Sequence, residues 1–149
     1  MKSLFLGIAA LMITIGANAQ VKSPVRWSYA SKKISATEAV VFLKATIDKD
    51  WHIYSQTGKS GRPLKTSFTF NPSKDYALAG KTIELKPIVK YEPAIKMNVG
   101  YFENSVVFQQ KIKLRSPKAK TVTGKLEFMA CNKQCLPPEG VEFSIPLGI

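Results

Sequence analysis

Hydrophobic and polar residues alternate with a period of two along most of the chain after residue 20, which is typical of β-strands that bury one face. This pattern predicts five longer strands and three shorter ones: Glu38–Ile47, Thr82–Tyr91, Ser105–Leu114, Lys125–Ala130, Val141–Leu147, Val25–Tyr29, Trp51–Ser55 and Thr66–Phe70. In the second of these, one face is apolar and is formed by Ile83, Leu85, Val89 and Tyr91. In the third, the inward positions are Val106, Phe108, Ile112 and Leu114.

Turn-forming residues separate most of these segments, and no stretch of ten residues has clean helical periodicity. Seven or eight short strands joined by turns predict an all-β fold, an antiparallel β-sandwich of immunoglobulin-like type. A small barrel is the alternative that this pattern leaves open. Because the chain has no internal repeat, low-complexity segment or linker, we expect one domain over residues 20–149.

The first nineteen residues have the features of an export signal. Lys2 provides the positive charge, Leu4–Ile15 is an apolar run, and Ala17-Asn18-Ala19 matches a small-x-small cleavage site. The apolar run is short for a membrane span, which needs about 20 residues. We therefore predict a signal peptide cleaved after Ala19 and a periplasmic mature protein.

The composition is basic, with 22 Lys and Arg against 10 Asp and Glu, a net charge of +12. Lys111, Lys113 and Arg115 share one strand face, which is usually a solvated face and could also steer an acidic partner or bind anionic lipid or polysaccharide. No nucleic-acid motif, Ser-His-Asp set, Gly-rich phosphate loop or pair of carboxylates stands out. We expect no nucleic-acid partner and no cofactor.

Cys131 and Cys135 are the most informative residues, because an exported protein would join them in a disulfide. A ring of about five residues stabilises the fold by only ~2 kcal/mol, against ~4.7 kcal/mol for a ring of about 100 residues. Lys133 lies between the two sulfurs and favours a thiolate. Redox function and a structural staple are both open on these grounds.

Copper is a third explanation, since two thiolates can hold Cu(I). The further ligands that could assist are Met97, Met129 and His52. Because His52 is the single histidine, a multi-histidine metal site within the chain is excluded, and a closed zinc site lacks ligands.

The residues around the cysteines resemble the N-terminal periplasmic domain of the thiol:disulfide interchange protein DsbD. The resemblance is sharpest over Cys131, Cys135, the following Leu136–Glu139 and the closing strand Val141–Leu147. More weakly, Trp51-His52-Ile53-Tyr54 is similar to the aromatic strand near that family's active site. Asn98-Val99-Gly100-Tyr101-Phe102 lies where the family has a loop whose aromatic residues cap the cysteines.

The resemblance implies an immunoglobulin-like domain that carries electrons through Cys131 and Cys135 and acts as a component of protein-disulfide reduction. It implies that Cys135 attacks and Cys131 resolves, that Tyr101 and Phe102 form the cap, and that His52 and Tyr54 are neighbours of the site. The implied partners are thioredoxin-like periplasmic proteins. Two departures are the three-residue spacing of the cysteines and the end of the chain at residue 149, from which we expect a separate membrane electron donor.

Overall fold

The computed structural model describes residues 22–58 and 64–148, and within these ranges every regular element is a β-strand. Eleven strands follow in chain order: β1 Val25–Lys33, β2 Glu38–Ile47, β3 His52–Tyr54, β4 Ser67–Phe70, β5 Tyr76–Leu78, β6 Ile88–Glu92, β7 Met97–Phe102, β8 Ser105–Leu114, β9 Thr121–Phe128, β10 Ala130–Cys131 and β11 Glu139–Pro146. The described ranges hold no helix long and apolar enough to cross a membrane. The predicted signal peptide, residues 1–19, lies outside them.

The strands form three antiparallel sheets, with the orders β1-β2-β8-β5, β10-β3-β7-β6 and β11-β9-β4. We name them the β8 sheet, the β7 sheet and the β9 sheet. The predicted all-β, immunoglobulin-like sandwich is confirmed. Two predicted strands, β2 and β8, have the predicted bounds and pair over nine residues, from Glu38↔Lys113 to Thr46↔Ser105.

The core lies between the inner face of the β8 sheet and the other two sheets. Trp27 on β1 packs its ring 6.1 Å from Phe68 on β4 and 5.6 Å from Phe128 on β9. Phe108 on β8 is fully buried and lies 4.8 Å from Phe68 and 5.9 Å from Phe102 on β7. Aromatic rings from all three sheets therefore meet in one core, which fixes the position of the β7 sheet.

Thr82–Tyr91 does not form the single strand that was predicted, and its apolar face is not buried. Only an isolated bridge at Ile83 and the strand β6 are formed, and the four apolar side chains are between 52% and 68% exposed. Glu84 turns inward instead, where its carboxylate accepts hydrogen bonds from the Ser55 hydroxyl and, at 3.0 Å, from the Gln56 N–H. Pro87, which has no N–H for a ladder, separates the two pieces.

Two strands, β5 and β7, were missed by the sequence pattern. For β7 the reason is that its Asn98–Gly100 segment has the composition of a turn. Gly100 lies instead in a strand that approaches its neighbours closely. A Cβ atom at this position would lie 3.1 Å from Pro87 and 3.2 Å from Ser55, which explains a glycine inside a strand.

The predicted basic face lies on the outside of the β8 sheet. Lys111 and Lys113 are both exposed there, and Lys113 stands opposite Glu38 on β2. Arg115 is exposed beyond the end of β8.

Candidate functional site

A change of sheet brings the cysteines to the site. The prediction of one strand over Lys125–Ala130 is incomplete, because β9 ends at Phe128 and the chain then leaves the β9 sheet. After Met129, the short strand β10 pairs with β3 of the β7 sheet, with Ala130 opposite Ile53 and Cys131 opposite His52. The first cysteine is thereby placed beside the strand of aromatic residues.

Cys131 and Cys135 form a disulfide with an S–S distance of 2.03 Å, at the base of a tight turn. Inside the turn, the Gln134 N–H donates to the Asn132 side-chain oxygen at 2.9 Å, which is an Asx-type contact. The Leu136 N–H donates to the Ala130 carbonyl, also at 2.9 Å. Main-chain and side-chain hydrogen bonds thus hold this turn in addition to the disulfide.

The two sulfurs differ in accessibility. Cys131 is 2% exposed because it lies between β3 and the turn, whereas Cys135 is exposed to solvent. A macromolecular partner can therefore reach the Cys135 side of the bond, while the Cys131 side stays covered by protein.

The register of three strands explains which side chains meet at the cysteines. Successive strand residues point to opposite faces, so His52 and Tyr54 on β3 share one face of the sheet. Cys131 pairs with His52 and Tyr101 pairs with Tyr54, which places these two residues on the same face. The other face carries Ile53, Phe102 and Ala130, which are 0%, 6% and 3% exposed and belong to the core.

The face that carries His52, Tyr54, Tyr101 and Cys131 borders an open cavity of about 410 Å³. Its walls are β3, the β6–β7 hairpin and the cysteine turn; the lining includes His52, Tyr54, Tyr101, Met129, Cys131 and Cys135. The His52 ring is wedged between two tyrosines, with ring centroids 5.3 Å from Tyr54 and 5.2 Å from Tyr101. The Tyr54 hydroxyl and His52 Nε2 lie 3.1 Å apart, so the imidazole is held in place.

Burial controls the protonation of these rings. It lowers the pKa of His52; of the nearby charges, Glu103 and Glu92 raise that pKa and Lys90 lowers it further. Burial, followed by the Glu92 carboxylate, raises the pKa of Tyr54. Near neutral pH the site therefore presents a neutral imidazole and a neutral phenol, each able to accept or donate a hydrogen bond.

Five of the six predicted site residues line one cavity: Cys131, Cys135, His52, Tyr54 and Tyr101. Phe102 lies apart from them, because its ring faces inward and packs edge-on against Phe108 at 5.9 Å. Asn98–Phe102 is also part of a strand rather than a loop.

Sequence reasoning missed the charged and apolar residues contributed by the β6–β7 hairpin and by the residue that follows it: Lys90, Glu92, Ala94, Ile95, Val99 and Glu103. No spacing along the chain signals them, because they reach the cysteines only through the pairing of β7 with β3.

The copper alternative is only partly supported by the arrangement. Met129 and His52 line the cavity with the cysteines, but Met97 is not among its lining residues. In the part of the chain that the structure describes, no group of three or more His, Cys, Asp or Glu side chains is placed to hold a metal ion.

Comparisons with known proteins identify a family for the chain. The sequence profile described as "Thiol:disulfide interchange protein DsbD, N-terminal" matches residues 20–146. No curated protein matches the sequence.

Solved structures share the fold at low sequence identity. The reduced N-terminal domain of DsbD from Neisseria meningitidis is 13% identical, with a TM-score of 0.52 over 79% of this chain and 83% of that one. The complex between the DsbD and PilB N-terminal domains from the same organism contains a chain that is 14% identical, with a TM-score of 0.55 over 84% of this chain and 87% of that one. The N-terminal periplasmic domain of ScsB from Proteus mirabilis is 17% identical, with a TM-score of 0.56 over 85% of this chain and 47% of that one.

At these identities the solved structures establish the fold, while the sequence profile covers nearly all of the chain after residue 19 and includes both cysteines. The chain therefore belongs to the family of the N-terminal domain of the thiol:disulfide interchange protein DsbD, which confirms the resemblance carried by its cysteine motif.

Proposed function

We propose that the protein is an exported thiol–disulfide exchange domain, which passes electrons through Cys131 and Cys135 to thioredoxin-like periplasmic proteins. The observation that carries the proposal is the unequal pair of sulfurs, one exposed and one buried, beside an aromatic cavity. A disulfide that serves only as a staple has no need of an accessible sulfur next to such a cavity.

The exchange takes place in two steps. In the reduced protein, the Cys135 thiolate attacks one sulfur of the partner's disulfide, a mixed disulfide forms, and the partner's other sulfur leaves as a thiolate. The Cys131 thiolate then attacks Cys135, which restores the intramolecular disulfide and releases the reduced partner. Two electrons pass to the partner, and a separate membrane donor returns the pair to the dithiol.

The neighbouring rings have separate roles in this proposal. His52 stands directly opposite Cys131 on the paired strands, and directly opposite residues have Cβ atoms about 4.5–5.5 Å apart. Its neutral imidazole can accept the proton that the resolving thiol must lose. Tyr101 packs on that imidazole and lines the same cavity as the two cysteines, and we assign it the role of a cap.

Family membership supports the partner and the compartment. One solved relative is a complex between the N-terminal domains of DsbD and PilB, and another is described as a periplasmic domain. By analogy we assign this chain a protein partner at the Cys135 side. We also propose that residues 1–19 are a signal peptide removed after Ala19.

Trapping the mixed disulfide tests the proposed function. We expect the Cys131→Ser variant to accumulate a mixed disulfide with an oxidised thioredoxin-like protein, because Cys135 can attack but no resolving thiol follows. The matched Cys135→Ser variant, whose remaining thiol is buried, should trap far less. Failure of the first variant with every such partner tried, or equal trapping by both variants, would contradict the assignment.

The reduction potential of the Cys131–Cys135 bond, measured in thiol redox buffers, gives an independent test. Structural disulfides in secreted proteins typically lie below about −300 mV. We expect a value well above this limit, with rapid exchange. A value below it, with slow exchange, would instead identify an exported β-sandwich binding module with a structural disulfide.

A pair of aromatic variants tests the cap. We expect Phe102→Ala to cost about 3–5 kcal/mol of unfolding free energy, because its ring is buried against Phe108. Tyr101→Ala should cost much less and should raise the rate at which iodoacetamide alkylates reduced Cys131, the buried cysteine of the pair. An unchanged alkylation rate in Tyr101→Ala would remove Tyr101 from the cap.

A further inference from the structure

The cavity beside the disulfide has the size and lining of a small-molecule site. Its volume of about 410 Å³ falls within the ~300–1,000 Å³ range of such sites. Ile95, Val99 and Met129 supply apolar surface, and the exposed Cys135 supplies the reacting atom at its edge. The cavity therefore offers space for a small ligand beside the exposed sulfur.

Charged groups of both signs surround the cavity. Lys90 and Glu92 project from the same face of β6, Glu103 follows β7, and Lys133 lies in the cysteine turn. Both salt bridges found within residues 22–58 and 64–148 lie elsewhere, so these four groups are not paired with one another at salt-bridge distance. Two ammonium groups and two carboxylates are therefore available to a ligand.

The charges act on a common centre. His52, at the cavity wall, responds to Glu103, Lys90 and Glu92 through their effects on its pKa. These three side chains line the same cavity as the imidazole, two from β6 and one from the residue after β7. A ligand in the cavity would therefore meet positive and negative groups together, next to the sulfur that reacts.

We propose that this cavity binds low-molecular-weight disulfides that carry both an ammonium and a carboxylate group, of the amino-acid or short-peptide type, and that the cysteine pair reduces them. The inference rests on the proposed exchange function and adds a substrate class to it. Lys90 and Lys133 would pair with the ligand carboxylate, and Glu92 and Glu103 with the ligand ammonium.

The reaction balances with the ligand as oxidant. The Cys135 thiolate attacks one ligand sulfur, the ligand S–S bond breaks, and the first half of the ligand leaves as a thiolate that takes a proton from solvent. Cys131 then gives up its proton and attacks Cys135, which releases the second ligand thiol. The protein dithiol becomes a disulfide, and the ligand disulfide becomes two thiols.

Four probe disulfides separate charge from intrinsic reactivity: cysteinylglycine disulfide carries both charges, cystamine is only cationic, dithiodipropionate is only anionic, and 2-hydroxyethyl disulfide is uncharged. The reduced full-length mature protein is mixed with each, and its remaining thiols are counted after acid quench. Each rate is divided by the rate of the same probe with dithiothreitol. We expect the largest normalised rate, and saturation, for cysteinylglycine disulfide.

Matched variants locate the effect. Lys90→Ala and Glu92→Ala should each raise the half-saturating concentration of cysteinylglycine disulfide about two- to fivefold, the range for a solvent-exposed ion pair. Lys118→Ala and Glu142→Ala, which make the same charge changes away from the cavity, should leave it unchanged.

Equal normalised rates for all four probes, or a preference for cystamine or dithiodipropionate, would overturn this inference. If the protein still forms the mixed disulfide with a thioredoxin-like partner, the proposed function stands without the small-molecule substrate. If neither the probes nor a protein partner react, both proposals are wrong.

Discussion

Reduction of the Cys131–Cys135 bond should weaken the fold only slightly, since the proposed role as an electron carrier requires a chain that stays folded in both redox states. The two cysteines are four residues apart, so the bond closes a ring of five residues. Restricting the unfolded chain over such a ring is worth about 2 kcal/mol. We also expect the turn to keep its Leu136–Ala130 and Gln134–Asn132 hydrogen bonds after reduction, because neither involves a cysteine.

Urea unfolding of the oxidised and reduced protein, followed by the fluorescence of Trp27 and Trp51, measures this difference. We expect the free energy of unfolding to fall by about 2 kcal/mol on reduction, with an unchanged denaturant slope because the folded state keeps its buried surface. The double variant Cys131→Ser/Cys135→Ser is the control and should not respond to the reductant.

A loss of more than about 4 kcal/mol, or unfolding on reduction, would refute this reasoning. Losses of that size lie at the upper end of the ~2–5 kcal/mol that removal of a native disulfide costs a small secreted domain. The bond would then be a structural staple, and its exposure at Cys135 would need another explanation.

Two further predictions concern ionisation and packing. Burial lowers the pKa of His52 in the folded state. Between that lowered pKa and the ordinary histidine pKa of about 6.5, the unfolded chain therefore binds more protons than the folded chain. The free energy of unfolding should therefore fall as the pH drops through about 6.5 and level off below the folded-state pKa of His52. Urea unfolding of His52→Asn should show a weaker fall over this pH range. An equal fall in the variant would refute the attribution to His52. Gly124→Ala should cost about 3 kcal/mol, because a Cβ there would collide with the Thr69 carbonyl oxygen and lie 2.7 Å from Phe143 Cζ. In the same assay Gly58→Ala, with no atom within 4 Å of the new Cβ, is the control, and equal effects of the two substitutions would contradict the packing argument.

The alternation of apolar and polar residues was sufficient to predict most of the strands. It located β2 and β8 to the residue, because both lie inside a sheet that buries one face and leaves the other in water. It failed at Thr82–Tyr91, where β6 forms a sheet edge and the apolar side chains stay exposed. An alternating pattern shows that two faces differ, but it does not show whether anything packs on the apolar one.

For the candidate site, the sequence alone supplied the two cysteines, since their spacing and export context carry chemical meaning. The family resemblance supplied His52, Tyr54 and Tyr101 as neighbours. The tertiary structure decided the rest. The change of sheet at Met129 placed Cys131 opposite His52, buried one sulfur and left Cys135 exposed.

The pairing of β7 with β3 separated Tyr101 from Phe102, sending one to the cavity and the other to the core. The same pairing carried Lys90, Glu92 and Glu103 to the cysteines. The physical reason is that strand register sets which residues face each other across a sheet, and register depends on contacts between segments far apart in the chain. A local pattern fixes the alternation along a strand but not the partner strand that lies beside it.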